Sequence, residues 1–214
     1  MMPSTHPQQT RSRQTRTRLL DAAEEVLGHV TFDAMTVHEV AARAGMTTGA
    51  IYQHFGSKSG LVGALVDRLH EEWGRGLAVD LSPARLAEAT LRPQLLAVVH
   101  RILRGYRARG GLVRAITIGT RTDPLLRDRD RQFDSTHFFG PLQQALSSRE
   151  DVRHPHPDAA IPFALFMIAN ALGAFALFPE MDPSTLRISD ADFAEHLVDA
   201  VLAYLQVDET RLGS

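Results

Sequence analysis

Apolar residues recur along this chain at three- and four-residue spacing wherever they cluster, and no segment of useful length alternates as a strand would. Leu19, Ala23, Val26 and Val30 set the first stripe, widened by Ala22 and Leu27, and predict an amphipathic helix over about residues 13–29 that ends near Gly28. Thr36 followed three positions on by Glu39 is a capping box; Val37, Val40, Ala41 and Ala44 then give the inward face of a short second helix. Gly45 supplies the left-handed conformation that a tight turn requires. Thr47 or Thr48 caps a third helix through Ile51, Tyr52 and Phe55. Gly56 ends it, and Ser57 opens a fourth whose apolar face runs Leu61, Leu65, Leu69 and Trp73.

Beyond Gly76 the pattern is longer and looser. Leu81-Ser82-Pro83 and Arg92-Pro93 punctuate a short segment. A helix over about 93–108 follows, with Leu96, Val99, Leu103 and Tyr106 on one side. Gly110-Gly111 is expected to break it before a short apolar piece, 112–118. Asp123-Pro124 opens a helix over about 125–147, and the loop from Arg153 to Pro157 leads into an uncharged helix closed by Pro179 and Pro183. The last helix, about 190–206, aligns Phe193, Leu197, Val201 and Tyr204. The expected fold is all-α: an N-terminal three-helix, helix-turn-helix domain joined by a linking helix to a C-terminal helical bundle. The expected organisation is a disordered polar arm at 1–12, a first domain at 13–72 and a second at 73–214.

Composition narrows what these helices can do. There are no cysteines among the 214 residues, which excludes disulfides and thiolate metal sites. The polar N-terminus has no apolar stretch to serve as a signal peptide, so the expected location is cytoplasmic. Residues 159–178 carry no charge over a length that could span a bilayer. Pro162 and Asn170 interrupt that run, however, and its flanking charges, Asp158, Glu180 and Asp182, are acidic, so burial in protein is the expectation and no membrane is. Net charge is −2, but residues 1–60 hold six basic and five acidic side chains, with four of the cations before Leu19 and the chain's only lysine at Lys58. A near-neutral chain can still bind DNA where a few cations converge on phosphates.

Residues 36–58, TVHEVAARAGMTTGAIYQHFGSK, thus read as helix, glycine turn, helix, glycine and capped helix, an arrangement that places its second helix in a DNA major groove. Thr47 and Thr48 put hydroxyls at a helix N-terminus, where free amides favour phosphate, and Gly49 and Ala50 keep the leading face low. The stretch from 14 to 70 resembles the DNA-binding domain of the TetR family. It carries Thr36-Val37, Ala41-x-x-Ala44-Gly45 and a small hydroxyl at 47, then Gly49-x-Ile51-Tyr52-x-x-Phe55-x-x-Lys58 and Leu61. One departure is Thr31, where such proteins often carry glycine before the aromatic at Phe32. The resemblance implies that Thr36, Thr47, Tyr52 and Lys58 contact phosphate, that Thr48, Gly49, Gln53 and His54 lie at base edges, and that Phe55, Ile51, Val40 and Leu61 are core.

It also implies a transcriptional regulator, a repressor released from a palindromic operator in double-stranded DNA by a small-molecule effector, acting as a homodimer. The sequence supports an interface on its own account. The uncharged helix and the last helix from each of two subunits would make a two-fold four-helix contact, with Phe166, Ala169 and Gly173 on one and Leu197 and Val201 on the other. For the pocket, the helices at 93–108 and 125–147 offer His100, Arg104, Tyr106, Phe133 and His137, a mixture suited to a small apolar or aromatic molecule. His154-x-His156 lacks further ligands at recognisable spacing, so no metal and no cofactor is expected. The rival readings are a helical partner-binding adaptor and a small helical enzyme using Asp192 with His196. No nucleophile, base and oxyanion donor are gathered for the latter.

Overall fold

The computed structural model describes residues 7–80, 90–178 and 186–208. Within them the chain forms α1 (Pro7–Leu27), α2 (Val37–Ala44), α3 (Thr48–Phe55), α4 (Lys58–Asp80), α5 (Leu91–Thr122), α6 (Pro124–Phe133), one π-helical turn (Asp134–Phe138), α7 (Phe139–Ser147), α8 (Pro157–Leu177) and α9 (Asp190–Leu205). The only pairing of strand type among the described residues is an isolated bridge between Val152 and Val207. The fold is all-α, as the apolar spacing predicts. Residues 1–6 of the expected arm and the punctuation at 81–83 and at Pro179 and Pro183 lie outside the described residues.

The chain divides into two compact units, residues 1–70 with 111–130, and residues 71–110 with 131–214. The first cut falls after residue 70, and residues 111–130 return to the first unit, a return that the sequence reading does not contain. The helix from Leu91 breaks at Arg109 (φ −133°, ψ 34°), beside Gly110-Gly111 as the sequence predicts, and a second helical stretch of α5 runs on to Thr122. Gly111 is needed for another reason: a Cβ there would sit 2.1 Å from the carbonyl oxygen of Gly28. Two backbones thus touch in the first unit, and Leu112, Val113, Ala115 and Ile116 are buried. Asp123 closes the arrangement, accepting the Ser59 hydroxyl at 2.6 Å and the amides of Leu125 and Leu126 at 2.9 and 3.3 Å.

In the first unit α1 begins at Pro7, earlier than expected. The described part of the predicted disordered arm, 7–12, is helical, since Gln, Arg and Ser tolerate a helix and Pro suits a helix start. Leu19, Ala23 and Leu27 of α1 are buried, as are Val40, Ala41 and Ala44 of α2, Ile51 of α3 and Leu61, Leu65 and Leu69 of α4. Arg68 of α4 ties back to α1 through Asp21 and Glu24, both at 2.6 Å.

The second unit packs α5, α7, α8 and α9 around Leu95, Val99, Leu103, Leu142, Ile161, Leu165, Ile168 and Val198. The expected helix over 125–147 is broken in three, because one π turn inserts a residue. The Phe139 amide reaches the Asp134 carbonyl, five residues back. That wider turn brings Phe133 and Phe138, five apart, towards one face, and both are buried. Ser189 caps α9: its hydroxyl accepts from the Asp192 amide at 3.1 Å and donates to the Asp192 carboxylate at 2.8 Å, so Asp192 is held in a helix cap.

Candidate nucleic-acid interface

The capping box forms as the sequence predicts. The Thr36 hydroxyl accepts from the Glu39 amide at 3.1 Å, and the Glu39 carboxylate accepts from the Thr36 amide at 3.0 Å and its hydroxyl at 2.8 Å. These bonds hold the Glu39 carboxyl below its ordinary pKa, the Thr36 side chain contributing most. At the other end of α2, Gly45 takes φ 63°, ψ 39°, and its amide returns to Ala41 and Ala42. Arg18 of α1 donates to the Ala44 carbonyl at 2.8 Å, which pins the turn from the side. Thr31, the departure from the family pattern, accepts from the Ala34 amide at 3.3 Å and so stabilises the bend that the usual glycine would leave to conformation alone.

The turn projects α3 with only Ile51 fully buried among its eight residues. Thr47 is the N-cap residue but its side chain makes no cap bond, so its hydroxyl stays available at the exposed end, while the Ala50 amide returns to the Thr47 carbonyl at 3.1 Å. Thr48 is half-buried, and Gly49 and Gln53 are exposed. Tyr52 is 53% exposed, a large ring held in solvent. His54 is half-buried and lies 6.2 Å from the Phe55 ring. Thr47, Thr48, Gly49, Tyr52 and Gln53 therefore occupy one protruding short helix, with Thr36 exposed at the start of α2. Phe55, assigned to the core by the resemblance, is only half-buried, and the Arg16 guanidinium stands 4.8 Å from its ring.

Lys58 is engaged within the unit. Its ammonium donates to the Asp33 carbonyl at 3.1 Å and lies 4.8 Å from the Phe32 ring. An ammonium has three donors, so this geometry leaves capacity for a further acceptor.

Of the expected pocket residues, His137 stacks on Phe133 at 5.1 Å and presses on Gly74, and Tyr106 meets Trp73 at 5.7 Å. A cleft of about 290 Å³ lies between α4 and α5 in the second unit, bounded by Glu72, Trp73, Gly76 and Leu77 on one side and by Arg101, Ile102, Arg104 and Gly105 on the other. Of the five predicted residues only Arg104 is among these. The glycines carried the missed signal: they stand opposite the large side chains and make the room, and neither periodicity nor residue type reveals such a pairing.

Among the expected interface residues, Phe166 is 60% exposed, and Ala169, Gly173 and Leu197 are half-buried. A Cβ on Gly173 would meet nothing within 4 Å. Val201 is corrected: at 1% exposure it is core, because α9 turns it with Val198 and Leu205 towards the inside of the second unit. Its outer positions are Ala200 and Ala203.

Residues 19–65 match the family model described as bacterial regulatory proteins, tetR family. The HTH-type transcriptional regulator TtgR of Pseudomonas putida is 42% identical over 60 residues, 28% of this chain and 29% of that protein. The match thus spans less than a third of that relative's length. Two solved structures share the fold across nearly the whole chain. NalD of Pseudomonas aeruginosa, a secondary repressor of the MexAB-OprM multidrug efflux pump, has a TM-score of 0.66 at 20% identity, covering 94% of this chain and 99% of that one. FadR of Bacillus subtilis, solved with stearoyl-CoA, has a TM-score of 0.69 at 15% identity, covering 88% and 98%.

Proposed function

We propose that the chain, which matches the bacterial tetR family model over residues 19–65 and shares the fold of such regulators, is a TetR-type sequence-specific DNA-binding transcriptional regulator. It acts in the cytoplasm as a homodimer on a palindromic operator and is released by a small-molecule effector. The observation that carries the reading is α3 itself: a short helix set out from its unit by a capped glycine turn, with Tyr52, Gln53 and the Thr47 hydroxyl directed to solvent. Exposed aromatic and hydroxyl groups at a helix N-terminus have little value for stability and suit a phosphate backbone and the base edges beside it. Thr36, Thr47, Tyr52 and Lys58 set register on phosphates; Thr48, Gly49, Gln53 and His54 read bases.

Dimerisation follows from α8. Its inner face, with Ile161, Leu165 and Ile168, is core, yet only 39% of its most apolar stretch is buried. Phe163 and Phe166 stack outside at 6.1 Å, and Phe163 reaches Tyr204 of α9 at 5.5 Å, so the exposed stripes of the two helices are continuous. A second copy of the same surface covers it with two-fold symmetry and supplies the second reader, about 34 Å away on the duplex.

The test is selection from a random duplex pool followed by fluorescence anisotropy across a salt series. Enrichment of a palindrome bound by two protomers supports the function. No enrichment at low salt would overturn it.

A further inference from the structure

We propose that the cleft between α4 and α5 binds an amphipathic monocarboxylate, with the carboxylate on Arg101 and Arg104 and the apolar body on Trp73, Leu77 and Ile102. This rests on the effector reading above and names the chemical class of the ligand.

The cleft exists because two glycines face two large side chains. A Cβ on Gly76 of α4 would meet the Arg101 Nη1 at 2.7 Å, and a Cβ on Gly105 of α5 would meet the Trp73 indole at 3.2 Å. Arg101 crosses one glycine and Trp73 the other, so the helices exchange their bulky groups and leave a gap beside them. At about 290 Å³ the gap takes on the order of ten heavy atoms, with the ~30 Å³ share of a liquid water as the yardstick.

Charge selects the ligand. Glu72, the one acid in the lining, is paired with Arg109 at 2.7 Å. Arg101 and Arg104 lie three residues apart on one face of α5, and among the described residues Arg104 has no ion-pair partner. At Arg104 a small anion meets a guanidinium beyond the Glu72–Arg109 pair, and a carboxylate matches its planar fork. Trp73, Leu77 and Ile102 would leave a purely ionic ligand with unfilled apolar wall, so an apolar body must accompany the charge.

Trp73 is the chain's single tryptophan, so its fluorescence reports on this cleft alone. The full-length protein is titrated with 4-phenylbutyrate, 4-phenylbutanol and 4-phenylbutylamine, with calorimetry in parallel. The acid binds about tenfold more tightly than the alcohol, and the amine most weakly. Arg104→Gln, at an exposed position, lowers affinity for the acid about tenfold and leaves the alcohol unchanged, which also shows that the cleft is intact. Equal binding of acid and alcohol, no binding of either, or an Arg104→Gln variant that binds the acid as before overturns the proposal. The same titrations on the operator complex separate the two readings. Duplex binding without ligand binding sinks the ligand class alone. Acid-selective binding that leaves duplex affinity unchanged at saturation upholds the ligand class and sinks the effector role.

Discussion

Replacing Lys58 by methionine keeps the aliphatic stem beside Phe32 and removes only the ammonium. In the free protein this deletes a hydrogen bond to the Asp33 carbonyl, 3.1 Å long, and a cation held 4.8 Å from the Phe32 ring. At a half-buried position these are worth about 1–2 kcal/mol together, or roughly 2–8 °C in melting temperature for a chain of this size. If the ammonium also meets a phosphate when the duplex docks, each half-site loses one counterion-releasing contact. The slope of log K against log salt then becomes shallower by about 0.9 per protomer, about 1.8 for a dimer. Between 50 and 200 mM salt the penalty of the substitution therefore shrinks by roughly tenfold. Melting curves measure the first effect and anisotropy titrations at four salt concentrations the second. A variant that loses stability but keeps the wild-type slope refutes the phosphate role, and Lys58 is then a staple for the bend between α1 and α2. Arginine at 58 preserves the slope, since it preserves the charge.

Thr48→Val or Gln53→Ala changes which duplexes are selected and costs about 1–3 kcal/mol on the preferred site, while the salt slope stays as in the wild type; loss of affinity on all duplexes alike would reassign both residues to the backbone. Glu39 has a lowered pKa in the fold, chiefly through the Thr36 hydroxyl, so the folded state binds fewer protons there than the unfolded chain. Its stabilising effect is complete above the ordinary glutamate value of about 4.3 and is lost as pH falls through the lowered one, so melting temperature in acid falls less steeply for Glu39→Gln than for the wild type. Phe166→Glu places a charge where a ring is 60% exposed in the single chain. With one ring lost from each side of a two-fold contact, about 3 kcal/mol or more goes and the dimer Kd rises over a hundredfold by sedimentation; an unchanged dimer would move the interface elsewhere.

Local chemistry was legible in the sequence, and long-range packing was not. The capping box at Thr36 and Glu39 and the left-handed Gly45 depend on residues within four positions of each other, and the spacing alone predicts them; the exposed tip at Thr47–Gln53 was legible through the family resemblance. Gly111 shows the opposite case. Beside Gly110 it marks the break at Arg109, yet what it meets is Gly28, more than eighty positions away, so the return of 111–130 to the first unit could not be read locally. Val201 fails for a subtler reason. An apolar stripe says that a face is covered but not whether by the same chain or by another, and α9 carries both kinds of apolar position, Val201 inside and Ala200 outside. The cleft was missed because Gly76 and Gly105 matter only through side chains on the opposite helix.

The charges of the first unit bear on how selective such a regulator is. Six cations precede residue 61, and four of them have work inside the unit: Arg18 on the Ala44 carbonyl, Arg43 on Glu25, Arg16 over Phe55 and Lys58 on Asp33. Arg11 and Arg13, on exposed turns of α1, show no such role among the described residues. A protein with few cations to spend on phosphates has a weak sequence-independent affinity, because that affinity scales with the number of counterions released. Tight binding then has to come from base edges and from amides at helix N-termini, both of which demand that α3 be accurately placed. The internal use of Arg18 and Lys58 serves that placement, since both fasten the segments on either side of α2. In this reading the near-neutral charge is a consequence of the design: Arg16, Arg18 and Arg43, which would have raised affinity for any duplex, hold rigid the helix that distinguishes one duplex from another, and Lys58 has donors for both tasks.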